Sequence, residues 1–562
     1  MHDYVIRNEL ASDKRVGNTL VHAYASNGSL IESRKVFDQL LHKDDVACGM
    51  IISAYADNGH DHLAIELFFE FQKCGLNLGK ATILGVLKAC SLDTIWKNGW
   101  HILHNLTVQC GFDTDLEISN SIIHLYGKHG FLVDAHRIFL LSVNQDVISW
   151  GALISGYVDY EHGDLHALQL YGKMLANRIE PSKVIFLCIL KACSSLNRVI
   201  EGRLVHNHIM TYALESDVAI ASSLIDMYGK CGSLDEGYEI FRKLKSCNAT
   251  TWGALISGHV QNEKYVLALK LVSKMQNEGI EPSILTSVHI MKACACTGEK
   301  RLGRFEHHRV IENGVLLDVI ITSAMVDMYA KFGSLEDAKK LFHDFPKRNI
   351  VSWSSMIWGH VEHGNSVHAL DLFQQMIMSG VFPDKVVCLC VLKACGSVRD
   401  EQKGHEIHVQ IVALGLVEKN VLVGNALVDM YAKCGVIGKA QEVFDQIKFR
   451  TIVSWTSLIG AYTQHGHGEE AFKCFRLMQC EGISPNKVTF IYILKACGDA
   501  GALQHGQQTH AHIIRQLGFL GKDILIGNAL IDMYAKCGWL QEAHQMFDEI
   551  FVHDLVSWNV LI

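Results

Sequence analysis

Residues 529–550 read ALIDMYAKCGWLQEAHQMFDEI, and this stretch decides the fold. Leu530, Tyr534 and Cys537 fall on one stripe at helical spacing, Gly538 permits a left-handed stop, and Leu540, Ala543, Phe547 and Ile550 form a second stripe. The pattern predicts two short antiparallel helices. A pair of this size buries too little apolar surface alone, so neighbours must stack into a solenoid with a continuous core.

Working outward, the stretch recurs as ALVDMYAKCGVIGKAQEVFDQI around Gly435, and three other markers keep a common beat. Pro181, Pro282, Pro383 and Pro485 are spaced by 101, 101 and 102 residues, with Pro346 out of phase. Trp150, Trp252, Trp353, Trp455 and Trp558 follow at 102, 101, 102 and 103. Lys-Ala-Cys triplets begin at Lys88, Lys191, Lys292, Lys393 and Lys495. Each period holds three units with helix-ending glycines near Gly435, Gly466 and Gly501: a short unit of 31 residues, a Trp unit of about 35 and a Lys-Ala-Cys unit of 35 to 37. The short units fall at 14–44, 116–146, 218–248, 319–349, 421–451 and 524–554, and sixteen units are complete. Residues 1–13 resemble the last helix of a Lys-Ala-Cys unit and 555–562 the first turns of a Trp unit, so 1–562 is expected to be one continuous array belonging to a longer one.

Composition agrees. Only 5 of 562 residues are proline against 46 glycines, which suits many short helices closed by glycine. A hydrophobic share of 49% with 20% charged residues excludes disordered, collagenous and Pro-rich linker classes.

These residues resemble a plant pentatricopeptide repeat protein of the subclass built from alternating P, L and S units. GNALIDMYAKCGWLQEAHQMFDEI is similar to the S unit, VSWTSLIGAYTQHGHGEEAFKCFRLMQCEGISPN to the P unit, and VTFIYILKACGDAGALQHGQQTHAHIIRQLGF to the L unit. Tetratricopeptide repeats, uniform at 34 residues with another Trp, Gly and Tyr pattern, do not fit the triplet. The resemblance implies an all-α, right-handed superhelical α-solenoid that binds single-stranded RNA, one base per repeat. It further implies that the fifth and last residues of a unit choose the base, while an apolar second residue packs on the base face.

Carried onto this chain, Asn18 with Asp44, Asn120 with Asp146 and Asn528 with Asp554 resemble uracil readers. Ser222 with Asn248, Ser323 with Asn349 and Thr456 with Asn486 resemble adenine readers. Ser354 with Asp384 resembles a guanine reader, and Asn425 with Thr451 a weaker pyrimidine pair. Asn559 lacks its partner residue, and three Trp units depart from the pattern with Gly49 and Gly79, Gly151 and Ser182, and Gly253 and Ser283. Lys-Ala-Cys units place Leu84, Leu187, Val288, Leu389 and Ile491 at the fifth position, where they act as spacers. The expected target is U, two unread, U, two unread, A, two unread, A, G, one unread, pyrimidine, A, one unread, U.

The net charge of −8 is no advertisement for nucleic acid, so any positive groove must be local. Lys128, Lys230, Lys331, Lys433 and Lys536 recur near the end of the first helix of five short units and are candidate phosphate contacts, although lysine there also suits the helix dipole. Cys90, Cys193, Cys294, Cys395 and Cys497 recur at an apolar helical position, and no Cys-x-x-Cys occurs, so buried thiols are expected rather than zinc or disulfides. His206, His307, His408 and His510 share one repeat position, which packing explains.

Members of the resembled subclass often end in a zinc-dependent cytidine deaminase with His-x-Glu and a later Pro-Cys-x-x-Cys. His360-Val-Glu362 and His467-Gly-Glu469 match the first half alone, and the chain has no phosphate-binding Gly-Lys-Ser/Thr loop, so no catalytic residue, metal or cofactor is expected here. There is no run of 18 apolar residues, hence no expected membrane partner. Residues 1–20 lack the Arg- and Ser-rich character of a transit peptide, which says little because Met1 falls inside a repeat. The resemblance implies a mitochondrial or chloroplast specificity factor for C-to-U editing of RNA, with a deaminase expected either in a C-terminal extension lacking from this fragment or, like editing cofactors, in trans. Splicing or stabilisation of organellar RNA by passive binding, or a protein-binding scaffold, are the alternatives.

Overall fold

Most complete repeats begin with a first helix capped by the last residue of the repeat before it. The computed structural model describes residues 14–40, 43–74, 79–92, 100–109, 111–112, 114–142, 144–160, 162–314, 318–344, 348–415, 420–517, 523–550 and 553–561. Among them are 33 helices and no strand. The expected helix in 1–13, and Pro346, lie outside the described residues. Contacts divide the chain into two compact units, 1–286 and 287–562, each a solenoid of helical hairpins. In both, first helices of successive repeats pack side by side in one layer, and second helices cover their own first helix and, in most repeats, the next.

Unit length follows from the second helix. First helices run 13 or 14 residues throughout, as in Leu116–Lys128 and Val147–Asp159. Second helices have 10 residues in short units, as in Leu132–Leu141, and 13 in Trp units, as in Asp164–Ala176. The expected glycine stops are left-handed: φ is +84° at Gly435, +77° at Gly466, +62° at Gly501 and +78° at Gly538. The prolines fall between hairpins, as Pro181 does between Asp164–Ala176 and Lys183–Ser195.

The Trp beat records one contact. Trp150, Trp252, Trp353, Trp455 and Trp558 pack edge to face on Phe139, Phe241, Phe342, Phe444 and Phe547 of the preceding short unit, with centroids 4.6 to 4.8 Å apart. The histidine beat records another. Nδ1 of His104, His206, His307, His408 and His510 lies 2.8 to 3.0 Å from the hydroxyl of Tyr126, Tyr228, Tyr329, Tyr431 and Tyr534 of the next short unit. Where short and Trp units adjoin, glycine permits close crossing: a Cβ on Gly127 would sit 2.9 Å from Gly156 Cα, and one on Gly229 2.8 Å from Gly258 Cα. Of the two expected stripes in 529–550, Leu530, Ala543, Phe547 and Ile550 are buried. Leu540 is not: it is the first residue of helix Leu540–Glu549, points outward and is 62% exposed.

Candidate nucleic-acid interface

An α-helix leaves its first amides unpaired, and here the last residue of a repeat satisfies them for the next. The Asp44 carboxylate accepts from the Ala47 amide at 2.8 Å, Asp146 from Ser149 at 2.8 Å, Asn349 from Ser352 at 2.9 Å, and Asp554 from Ser557 at 2.8 Å. Asn248, Asp384, Thr451 and Asn486 cap their helices likewise. Each proposed last-residue reader is thus held rigidly by one side-chain atom.

Fifth residues reach the capping residue at the end of their own repeat. Nδ2 of Asn18, Asn120 and Asn528 donates to Oδ1 of Asp44, Asp146 and Asp554 at 3.3, 3.2 and 3.2 Å. Ser149 Oγ lies 2.6 Å from Asn120 Oδ1 and 2.8 Å from Asp146 Oδ1, and Ser557 repeats the arrangement around Asn528 and Asp554. Sequence reasoning missed these serines, although a serine, or Thr251 in one period, precedes every periodic tryptophan. Burial pushes the Asp146 carboxyl up, but the hydrogen bonds from Ser149 and Asn120 outweigh it and hold it below the ordinary carboxylate range. Ser323 Oγ lies 2.9 Å from Asn349 Oδ1 and 2.6 Å from Val319 O, two acceptors for its single proton, and Thr456 connects to Asn486 through Thr489 Oγ1, 2.8 Å from Thr456 and 2.9 Å from Asn486 Oδ1.

Other pairs are not joined by a direct bond. Ser222 Oγ turns to Val218 O at 2.7 Å and Ser354 Oγ to Val351 O at 3.0 Å. The buried amide group of Asn425 finds no partner among the described residues, Thr451 included. Asn559 is exposed on the terminal helix Leu555–Leu561. In the first Trp unit, Asp45 takes over the missing cap of Gly79, accepting from the Gly79 and Thr82 amides at 2.8 and 3.1 Å. A Cβ on Gly49 would meet the Ala81 backbone at 2.6 Å, so this unit has room for neither reader. Leu84, Leu187, Val288, Leu389 and Ile491 are half-buried.

Most fifth residues are themselves buried, Asn120, Ser222, Ser323, Asn425, Thr456 and Asn528 among them, and within each unit some of the paired positions line a groove. In the first unit a groove of about 900 Å³ is lined by Asn120, Asp146, Gly151, Ser182, Leu84 and Lys88. In the second, a smaller one of about 310 Å³ is lined by Thr456, Asn486, Val453 and Val488. Second residues stand beside the readers with their aliphatic side chains exposed, as Ile148, Val184, Val453 and Leu525 do.

The periodic lysines carry less free charge than their number suggests. Lys230, Lys331, Lys433 and Lys536 pair with Asp226, Asp327, Asp429 and Asp532 one turn back, at 2.6 to 2.9 Å. Lys128 has His124 there instead, an imidazole whose pKa is lowered by burial and by Lys128 itself. Cys193, Cys294, Cys395 and Cys497 are fully buried, and burial pushes their thiols up to about 12. His360 sits on the helix Ile350–Glu362, and His467 directly precedes Gly468–Cys480 without capping it through its side chain. Among the described residues no group of His, Cys, Asp and Glu is arranged to hold a metal, and no helix is long and apolar enough to cross a membrane.

The PPR repeat matches this chain at residues 18–44, 46–76, 118–143, 220–248, 320–350, 351–381, 425–452 and 528–554. The pentatricopeptide repeat domain matches 239–296 and the PPR repeat family 450–499. The chain is 30% identical to the pentatricopeptide repeat-containing protein At4g39530 of Arabidopsis thaliana, over 100% of this chain and 68% of that protein. Identity to the mitochondrial protein At3g02330 of the same plant is also 30%, covering 100% and 64%, and other relatives are named chloroplastic. The chain spans roughly two thirds of the length of the curated relatives it matches. Among solved structures it is similar to the pentatricopeptide repeat protein PPR10 in complex with an 18-nt psaJ RNA element, with a TM-score of 0.58 and 18% identity over 90% of this chain and 85% of that one. Repeat architecture, repeat sequence and full-length similarity agree: the chain belongs to the pentatricopeptide repeat family of plants.

Proposed function

We propose that this protein binds single-stranded RNA base by base along the face of its first helices. The observation that carries this reading is the hydrogen-bonded pair Asn120 and Asp146, repeated at the same separation by Asn18 with Asp44 and Asn528 with Asp554. In the Asn120 pair, Asp146 Oδ1 is consumed by the cap, which leaves Oδ2 as an acceptor, and Asn120 Nδ2 keeps a second hydrogen. An acceptor beside a donor matches uracil, whose ring N–H donates and whose carbonyl accepts; cytosine offers a bare ring nitrogen instead and is repelled. Exposed aliphatics such as Ile148 supply the surface on which a base stacks.

The narrower reading is a specificity factor for an organellar transcript, presenting a cytidine for C-to-U editing by a deaminase supplied in trans. The alternation of three unit types supports it, as do relatives named mitochondrial and chloroplastic. Base-selective binding is tested by fluorescence anisotropy with a 16-nucleotide RNA of the pattern above and one permuted at the eight assigned bases. Equal affinity for the two would sink the proposal. Editing of a reporter cytidine in organelle extract, with and without the protein, separates the editing role from passive occupancy.

A further inference from the structure

Lys-Ala-Cys units also end on cap residues, at Asp115, Asp217, Asp318, Asn420 and Asp523, and begin at residues 80, 183, 284, 385 and 487. In three of the five, a lysine at the first position closes on the carboxylate at the last. Lys80 Nζ lies 2.8 Å from Asp115 Oδ2, Lys183 Nζ 2.7 Å from Asp217 Oδ2, and Lys487 is bonded to Asp523. Oδ1 of Asp115 and Asp217 accepts two helix amides each, so both oxygens of these carboxylates are occupied. A base arriving there finds an apolar fifth residue and a carboxylate already neutralised. The fourth such unit has Lys385 but ends on Asn420, an amide with no charge to pair.

The unit at 284–318 differs. Its first residue is Ile284, which carries no ammonium, and its last is Asp318. Asp318 Oδ1 accepts from the Ile320 amide at 2.7 Å, and Oδ2 takes no partner among the described residues. That is the state of Asp146 and Asp554, the last residues of two uracil-type pairs. Asp318 is half-buried, with exposed Ile320 beside it.

We propose that the lysine at the first position is a lock that silences a Lys-Ala-Cys unit, and that the unlocked unit at 284–318 reads a base through Asp318. Ring N–H groups of uracil and guanine donate to a carboxylate, whereas the bare ring nitrogens of cytosine and adenine oppose it, so the base selected is uracil or guanine. This inference rests on the RNA-binding reading above and turns one unread position, the ninth, into a selective one.

The test uses the full chain and the 16-nucleotide RNA with its eight assigned bases fixed. Affinity is measured with U, G, A or C at the ninth position, and separately at the sixth, for the natural protein, Asp318→Asn and Lys183→Ile. The natural protein is expected to bind U or G at the ninth position about fivefold or more tightly than A or C, in line with a hydrogen bond to a charged group, and to ignore the sixth. Asp318→Asn keeps a good cap and should lose or invert the ninth-position preference. Lys183→Ile should free Asp217 and create a U or G preference at the sixth position. If the patterned RNA is preferred over the permuted one while the ninth base makes no difference, the reading of RNA stands and this inference is overturned. If Lys183→Ile leaves the sixth position indifferent, the lock is overturned. Equal binding of patterned and permuted RNA removes the base-reading interface itself, and the inference with it.

Discussion

Asn120 Nδ2 donates to Asp146 Oδ1 at 3.2 Å between the fifth and last residues of one repeat, so one hydrogen bond ties a first-helix side chain to the cap of the following helix. On the proposed reading, base choice and helix initiation share one carboxylate. Asp146→Asn separates them: asparagine caps as well as aspartate, so stability should change by less than about 0.5 kcal/mol. The acceptor facing the base becomes a donor, and preference at that position should move from uracil to cytosine. Anisotropy titrations with the fourth base varied, alongside urea denaturation, check both halves.

Trp353 and Phe342 are each under 3% exposed, with ring centroids 4.7 Å apart and the Arg348 guanidinium 4.6 Å from the Phe342 centroid. Trp353→Ala should cost about 3–5 kcal/mol by loss of buried surface and the cavity left behind. In a repeat array the damage stays near the junction it removes. Hydrogen exchange should accelerate first in Leu335–Asp344 and Ile350–Glu362, and uniform acceleration along the chain would contradict the local picture.

Burial lowers the pKa of His206, His307, His408 and His510 below the ordinary histidine value. At His206 the nearby Glu215 opposes that shift. The unfolded chain therefore takes up protons at a higher pH than the folded one. Stability is full above the unfolded value of about 6.5, falls as the pH drops through it, and levels off below the lowered folded values. Urea midpoints should be lower at pH 5.5 than at pH 7.5, and His307→Phe should shrink the difference. Identical midpoints would count against buried neutral imidazoles.

Several left-handed stops are made without glycine. Ala213 has φ +54° and Arg399 +59°, where equivalent stops use Gly111, Gly314 and Gly415, or Gly298 and Gly501. A side chain in this region costs about 1–2 kcal/mol, part of which glycine gives back through the flexibility of its unfolded chain. Ala213→Gly and Arg399→Gly should each stabilise the fold by a net of about 0.5–1 kcal/mol and so raise the midpoint of thermal unfolding. A fall in Tm for both would show that the native stops are unstrained.

The array was legible because its markers are junction contacts made identically in each period. Trp150 meets Phe139 as Trp455 meets Phe444, and His206 meets Tyr228 as His510 meets Tyr534. The capping role of the readers was legible less directly, since Asp146 acts on Ser149 only three residues away, a box that turn chemistry permits. The pairing of Lys331 with Asp327 also lay in plain sight, as a four-residue spacing on one helix. What could not be read was contact between distant positions. Asp45 capping the helix that Gly79 leaves open spans 34 residues and depends on how closely two first helices approach. Lys183 reaching Asp217 depends on where the end of a repeat returns beside its own start.

That pairing of lysines bears on how RNA would be attracted. Of the five short-unit lysines, four hold an aspartate one turn back, and Lys536 holds Asp499 as well. Lys88, Lys191 and Lys393 of the Lys-Ala-Cys units likewise pair with Asp57, Asp159 and Glu362. A phosphate must compete with a carboxylate for each of these ammonium groups, and the displaced carboxylate takes up a cation, so fewer ions are released on binding. Single strands lose affinity with a slope of about −0.7 in log K against log salt for each phosphate neutralised, so five unpaired lysines would give roughly −3.5. The slope for this protein should be distinctly shallower. Asp327→Asn and Asp429→Asn, which free Lys331 and Lys433, should tighten binding at low salt and steepen the slope towards that value. A slope near −3.5 in the natural protein, unchanged in these variants, would mean that the carboxylates do not hold the lysines back in solution.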